Sequence, residues 1–133
     1  MADAQQNLEI ARLAVERWNA NDLEGVLELY AQDAVMFSGP DWPEQGSWEG
    51  IEALRRNFEE WRDVWESSVM EVEGLESVGE RVVGTGAWNT RGRVSGVDGS
   101  MPFAILLAFR GGKIASHEWF ADSEVALAAA RSA

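Results

Sequence analysis

The chain has no cysteine and only one histidine, His117. Without thiols there is no disulfide framework, no cysteine nucleophile and no thiolate metal site. One imidazole leaves no transition-metal ligand set, so no metal is expected. No G-x-S-x-G segment occurs, which argues against a serine hydrolase built on a nucleophile elbow. Gly84-Thr85-Gly86 lacks a third glycine and falls inside a strand pattern, so it is not a phosphate loop. No cofactor is expected. Basic residues are scarce, 11 against 23 acidic ones, for a formal net charge of −12. Nucleic-acid binding needs a basic footprint, and so does an anionic membrane surface; neither is expected as a partner. No run approaches the roughly 18 apolar residues of a membrane span. The first seven residues, M-A-D-A-Q-Q-N, have neither a basic nor an apolar leader region, so a soluble, cytoplasmic protein is expected.

What the chain does have is tryptophan, seven in 133 residues. That length suits one domain, residues 1–133, with a real core. Some of the indoles belong to that core, and the rest suit the wall of a cavity.

Leu8, Ala11, Val15 and Trp18 follow helical spacing and predict an amphipathic first helix. Asp22 is a good N-cap for a second, shorter helix presenting Leu23, Val26, Leu27 and Tyr30. A short strand follows at 34–37. Residues 38–50, punctuated by Gly39, Pro40, Pro43, Gly46 and Gly50, read as a loop. The loop carries Trp42 and Trp48, costly to leave in water, and is expected to fold back over something apolar. Ile51, Leu54, Phe58, Trp61 and Trp65 mark the clearest helix, with a bulky stripe. Beyond Trp65 the period changes to two. Strands are predicted over 69–75, 81–93, 101–109 and 113–122, with a hairpin turn at Gly96-Val97-Asp98-Gly99. Residues 101–109 are apolar on both faces, so both must be covered. Too little helix remains for the second face, which implies a partner subunit. Residues 123–130 form a short alanine-rich helix. The fold class is α+β: three N-terminal helices on a curved, mostly antiparallel sheet, with a short C-terminal helix. The curvature is expected to leave a conical hollow.

The last strand, K-I-A-S-H-E-W-F-A-D (residues 113–122), puts His117 and Trp119 on one face and Ile114, Ser116, Glu118 and Phe120 on the other. Asp122 lies at the strand-to-helix junction, where it reads either as an N-cap or as an acid/base group. His117 reads either as a satisfied core histidine or as its helper. Arg91 and Arg93 read either as strand-end ion-pair partners of Glu71 or Glu73, or as a cavity group for a ligand oxygen.

W-N-A-N-D-L-E-G-V-L-E-L-Y-A-Q-D-A-V (residues 18–35), G-S-W-E-G-I-E-A-L (46–54) and G-G-K-I-A-S-H-E-W-F-A-D (111–122) resemble the NTF2-like superfamily, and within it the SnoaL-like group. The resemblance covers nearly the whole chain. It implies the conical α+β fold and a homodimer built on the sheet. The superfamily spans isomerases, cyclases, epoxide hydrolases and plain binding domains, so fold alone assigns no activity. Ketosteroid isomerases carry a tyrosine where this chain has Ala14, a base near Phe37-Ser38, and an acid within 103–107; all three are missing here. Limonene-type epoxide hydrolases need two aspartates and an arginine; Asp122 with Arg91 or Arg93 supplies only part of that set. SnoaL-type cyclases rely on one late acid–base aspartate, which Asp122 matches. The resemblance therefore implies a small hydrophobic, cyclic ligand in an aromatic-lined cavity. In this reading Asp122, His117 and Arg91 carry cofactor-free acid/base chemistry of the cyclase or isomerase type. Trp18, Tyr30, Phe37, Phe58, Trp61, Trp65, Trp88, Phe103 and Trp119 form or orient the walls. The alternative is a non-catalytic ligand-binding or dimerisation domain; epoxide-hydrolase-like water addition is a lesser one. The enzymatic readings need a hollow of about 300 Å³ or more.

Overall fold

The computed structural model describes residues 4–92 and 94–131. Helix α1 (Ala4–Asn19) lays Ala11 and its neighbours on the sheet. Its buried Asn7 donates to Glu80 O at 2.9 Å, which pins the helix start to the turn at the far end of the sheet. The helix ends where Asn21 takes a left-handed conformation, φ 60°, and Asp22 N–H donates back to Arg17 O at 2.9 Å. Asparagine tolerates that conformation, and this is a common helix stop. Asp22 then caps α2 (Leu23–Leu27) by accepting from Gly25 N–H at 3.0 Å.

Strand β1 (Tyr30–Ser38) follows at once, so Tyr30 opens a strand rather than closing a helix as its spacing predicts. A three-residue strand, β2 (Ser47–Glu49), sits inside the segment read as loop. Helix α3 (Ile51–Val64) presents the bulky stripe as expected. Then come β3 (Trp65–Val78), β4 (Arg81–Gly92), β5 (Asp98–Arg110) and β6 (Lys113–Phe120), and α4 (Ser123–Arg131) closes the order. Asp98 and Gly99 belong to β5, so the β4–β5 turn precedes them rather than containing them. The six-stranded sheet runs β2-β1-β6-β5-β4-β3, with β1 and β6 parallel and every other pair antiparallel.

The two sheet faces have different covers. The inner face carries Val82, Trp88, Phe103, Ile105, Leu107 and Trp119 against α1 and α3. The outer face carries Val83, Ala104, Leu106 and Phe120 against Ala126 and Ala130 of α4. The premise that too little helix was left for the second face of residues 101–109 is thus corrected. Ala126 and Ala130, four residues apart, give α4 a small-residue stripe that approaches the sheet closely.

Gly86 faces a bulge in β3 between Val72 and Gly74. A Cβ there would lie 2.0 Å from Glu71 O, a contact with backbone that cannot move aside. We expect Gly86→Ala to destabilise the fold by about 2–3 kcal/mol, read as a lower urea midpoint at unchanged slope. A midpoint equal to wild type would mean that the bulge relaxes freely.

Candidate functional site

His117 is buried, 5% exposed, and projects from β6 to the inner face of the sheet. Its Nδ1 lies 2.7 Å from the hydroxyl of Tyr30, on the parallel neighbour β1. The two ring planes are nearly parallel, 9° apart. Burial pushes the imidazole pKa down to about 3 and the Tyr30 phenol upward, so both are neutral at pH 7. The cheaper arrangement has Tyr30 O–H donating to Nδ1. The reverse would leave both the phenol O–H and the Nε2 lone pair without partners. With Tyr30 as donor, the proton sits on Nε2, which is buried and has no hydrogen-bond partner.

His117 lines an apolar cavity with Trp18 and Val15 of α1, Tyr30, Phe58 of α3, Met70 of β3 and Trp119. Its volume is about 30 Å³, room for one or two waters. The hollow is therefore far smaller than the roughly 300 Å³ that the enzymatic readings require. Aromatic rings fill the rest of the cone. Trp119, 1% exposed, lies within 5.3 Å of Trp42, 5.5 Å of Trp61, 6.0 Å of Trp88 and 6.1 Å of Phe103, between ring centroids. Two further indole N–H groups on the cavity-lining residues, Trp18 Nε1 and Trp119 Nε1, are also buried without partners. Trp88 differs, because its Nε1 donates to Ser68 Oγ at 2.6 Å.

Residues 39–46 fold back over this ring cluster, as Trp42 and Trp48 lead one to expect. Trp42 is buried against Trp119, and Trp48 meets Trp61 edge-on at 6.5 Å. Gly39 permits the approach: a Cβ would stand 2.5 Å from Trp119 O. Asp41 then clamps the β6–α4 junction by accepting from Ala121 N–H at 3.1 Å and Asp122 N–H at 2.9 Å.

The proposed site residues separate in space. Asp122 is exposed, and its carboxylate accepts from Glu124 N–H at 2.8 Å as an N-cap of α4. Arg91 is exposed and makes a two-point ion pair with Asp98, at 2.7 and 3.1 Å, rather than with Glu71 or Glu73. Arg91 shares its strand face with Val83, so it points away from the cavity. Arg93 lies outside the described residues. Phe37 also points away, because its strand neighbour Met36 packs inward opposite His117. Trp61, Trp88 and Phe103 pack around Trp119 without lining the cavity, and Trp65 borders an outer cleft instead. Of the expected wall residues, Trp18, Tyr30, Phe58 and Trp119 meet at His117. Ala11 and Ala14 also line the cavity and were not expected to. Their signal was small side chains on the buried face of α1, where a bulky residue would have left no space.

Among the described residues no group of three His, Cys, Asp or Glu is placed to hold a metal ion, and no helix is long and apolar enough to cross a membrane.

This architecture agrees with the comparisons. The family model for the SnoaL-like domain matches residues 11–117, so the chain belongs to that family, within the NTF2-like fold. An NTF2-like protein of unknown function from Burkholderia pseudomallei is 20% identical, with TM-score 0.78 over 90% of this chain and 92% of that one. A protein with a ketosteroid isomerase-like fold from Catenulispora acidiphila, in complex with trimethylamine, is 18% identical, with TM-score 0.76 over 90% of each chain. A putative SnoaL-like polyketide cyclase from Shewanella denitrificans is 15% identical, with TM-score 0.73 over 94% and 96%. No curated protein matches the chain. Likenesses at these identities establish the fold alone.

Proposed function

We propose that the protein binds a small, mainly apolar, cyclic molecule carrying one hydrogen-bond-accepting oxygen, held at His117. The observation that carries this reading is the buried, unpartnered Nε2 of His117 on an apolar wall, with Tyr30 on the other ring nitrogen. A buried donor without an acceptor is costly, and a ligand oxygen would relieve that cost. The similar Catenulispora structure, in complex with trimethylamine, supports small-molecule binding on this fold.

A matched pair of probes tests the reading. Acetophenone and ethylbenzene share a ring and differ by a carbonyl oxygen. We expect acetophenone to bind about tenfold more tightly, the effect of roughly one hydrogen bond, and His117→Phe to abolish the difference. Equal affinities in wild type would refute the assigned role of His117.

The acid/base alternative, of cyclase or isomerase type, is favoured by one contact, the Tyr30–His117 hydrogen bond. There the proton would move through this pair rather than through Asp122 and Arg91, both of which are exposed. An imidazole with a pKa near 3 is a weak base at neutral pH, so binding is the better supported reading. Water addition of the epoxide-hydrolase kind needs Asp122 and Arg91 on one water. Their β5 partners, Ala104 (opposite Phe120, next to the junction) and Asp98 (opposite Arg91), are about 20 Å apart along the strand.

We also read the protein as a cytoplasmic single domain that forms a homodimer. The outer sheet strip beyond α4, with Val35 and Phe37 on β1, would dock a second copy. Phe37→Glu is expected to shift sedimentation toward monomer; an unchanged sedimentation profile would remove this strip from the interface.

A further inference from the structure

The inner cavity has a neighbour. A cleft of about 240 Å³ opens between the end of α1, the end of α3 and the start of β3, bordered by Asn21, Arg62, Trp65, Ser67 and Ser68. One residue, Trp18, borders both spaces. On the inner side its ring meets Phe58 edge-on at 5.6 Å. Its Nε1 is buried without a partner, although the side chain as a whole is half-buried. The next residue holds the seam shut. Asn19 donates to Met70 O at 2.9 Å and accepts from Met70 N–H at 2.9 Å, so its amide clasps β3 as a neighbouring strand would. Met70 is itself a wall of the inner cavity.

We propose that Trp18 is a movable partition between two halves of one ligand site, and that the Asn19–Met70 clasp sets how often it opens. The inference rests on the binding reading above and extends it. The closed cavity is too small for a ring, so any ring-bearing ligand must displace a wall. Val15, Met70 and Tyr30 also border outer grooves, but Tyr30 is held by His117, and Trp18 is the ring that brings an unpartnered buried N–H to the edge of a cleft. Swinging toward the cleft gives its N–H access to water and to the polar groups there, which offsets the lost contact with Phe58. The joined space has an apolar inner end and a polar outer end, so the ligand class is an amphiphile. Its ring would lie against Phe58 and Trp119 with its accepting oxygen at His117, and a second polar group, a hydroxyl or amide, would reach toward Asn21, Ser67 and Ser68. The clasp is exposed and made of two neutral hydrogen bonds, so it can open without unfolding the sheet.

The test uses the full chain labelled with 5-fluorotryptophan, with the Trp18 line assigned through Trp18→Phe. Fluorine relaxation dispersion should show Trp18 exchanging between two environments in the free protein. Asn19→Ala should raise the minor population at least threefold. Acetophenone should then associate at least threefold faster and bind with an about threefold lower Kd, its dissociation rate changed less than twofold. If Asn19→Ala fails to fold, Asn19→Asp removes only the bond to Met70 O and should give a smaller rise in the same direction. A Trp18 line that shows no exchange in wild type and in the Asn19 variant overturns the partition, whatever acetophenone does. Exchange that responds to Asn19 without any acetophenone binding would uphold the partition and reject the binding reading.

Discussion

Trp119→Ala is expected to lower the unfolding free energy by about 3–5 kcal/mol, the cost of emptying a large buried aromatic site. Trp119 is 1% exposed and meets Trp42, Trp61, Trp88, Phe103 and His117, the last at 4.5 Å between ring centroids. These neighbours come from the 39–46 loop, α3, β4, β5 and β6, so no single movement closes the void. A typical domain has only about 5–15 kcal/mol in total, and the variant should be marginal at 37 °C. Trp119→Phe should cost far less. It keeps a ring in place, and the indole N–H it removes has no partner to lose. Urea unfolding measures both. A loss below about 1 kcal/mol for Trp119→Ala would mean a loosely packed interior.

The second large effect is a pH dependence that one residue controls. The His117 pKa falls from 6.5 to about 3 on folding, because burial penalises the imidazolium. Between those values the unfolded chain binds a proton that the folded chain does not. Stability from this source is therefore complete above pH 6.5 and is lost as pH falls toward 3. The loss runs at up to about 1.4 kcal/mol per pH unit. His117→Gln cannot titrate, and its amide oxygen can still accept from Tyr30. The wild-type profile should fall more steeply than the variant's below pH 6.5, and the two should run parallel above it. Carboxylates contribute acid sensitivity to both proteins, so the difference isolates His117. Parallel profiles from pH 7 to 4 would contradict a buried neutral imidazole.

Long periodic segments were legible from the residues alone. The stripe from Ile51 places α3 to within one residue of its observed end, and the alternation around His117 gives β6 and its inner face. Short elements set by tertiary contact were not legible. β2 is three residues in a glycine- and proline-rich stretch, and it is a strand only because β1 offers it an edge. Tyr30 fits the helical spacing after Val26 and Leu27, yet the five-residue α2 ends first and pairing with β6 claims it. The site followed the same division. His117 and the ring-rich wall could be read locally, whereas the Tyr30 hydroxyl comes from 87 residues away. Asp122 carried two readings that spacing could not separate. Its burial decides between them: an exposed carboxylate bonded to Glu124 N–H acts as a cap. The size of the hollow was the least legible feature. Large rings line a cavity or fill one, and only their mutual packing tells which.

Because His117 is the only histidine, its imidazole nitrogens give an unambiguous pair of NMR signals. The most direct measurement is therefore the ¹⁵N spectrum of the His117 ring, from pH 7 to pH 4, without and with acetophenone. The account requires one neutral tautomer throughout, protonated at Nε2, with the Nε2–H signal moving when the ketone is added. A ring that titrates near pH 6.5, or an Nε2–H signal indifferent to saturating ketone, would contradict it.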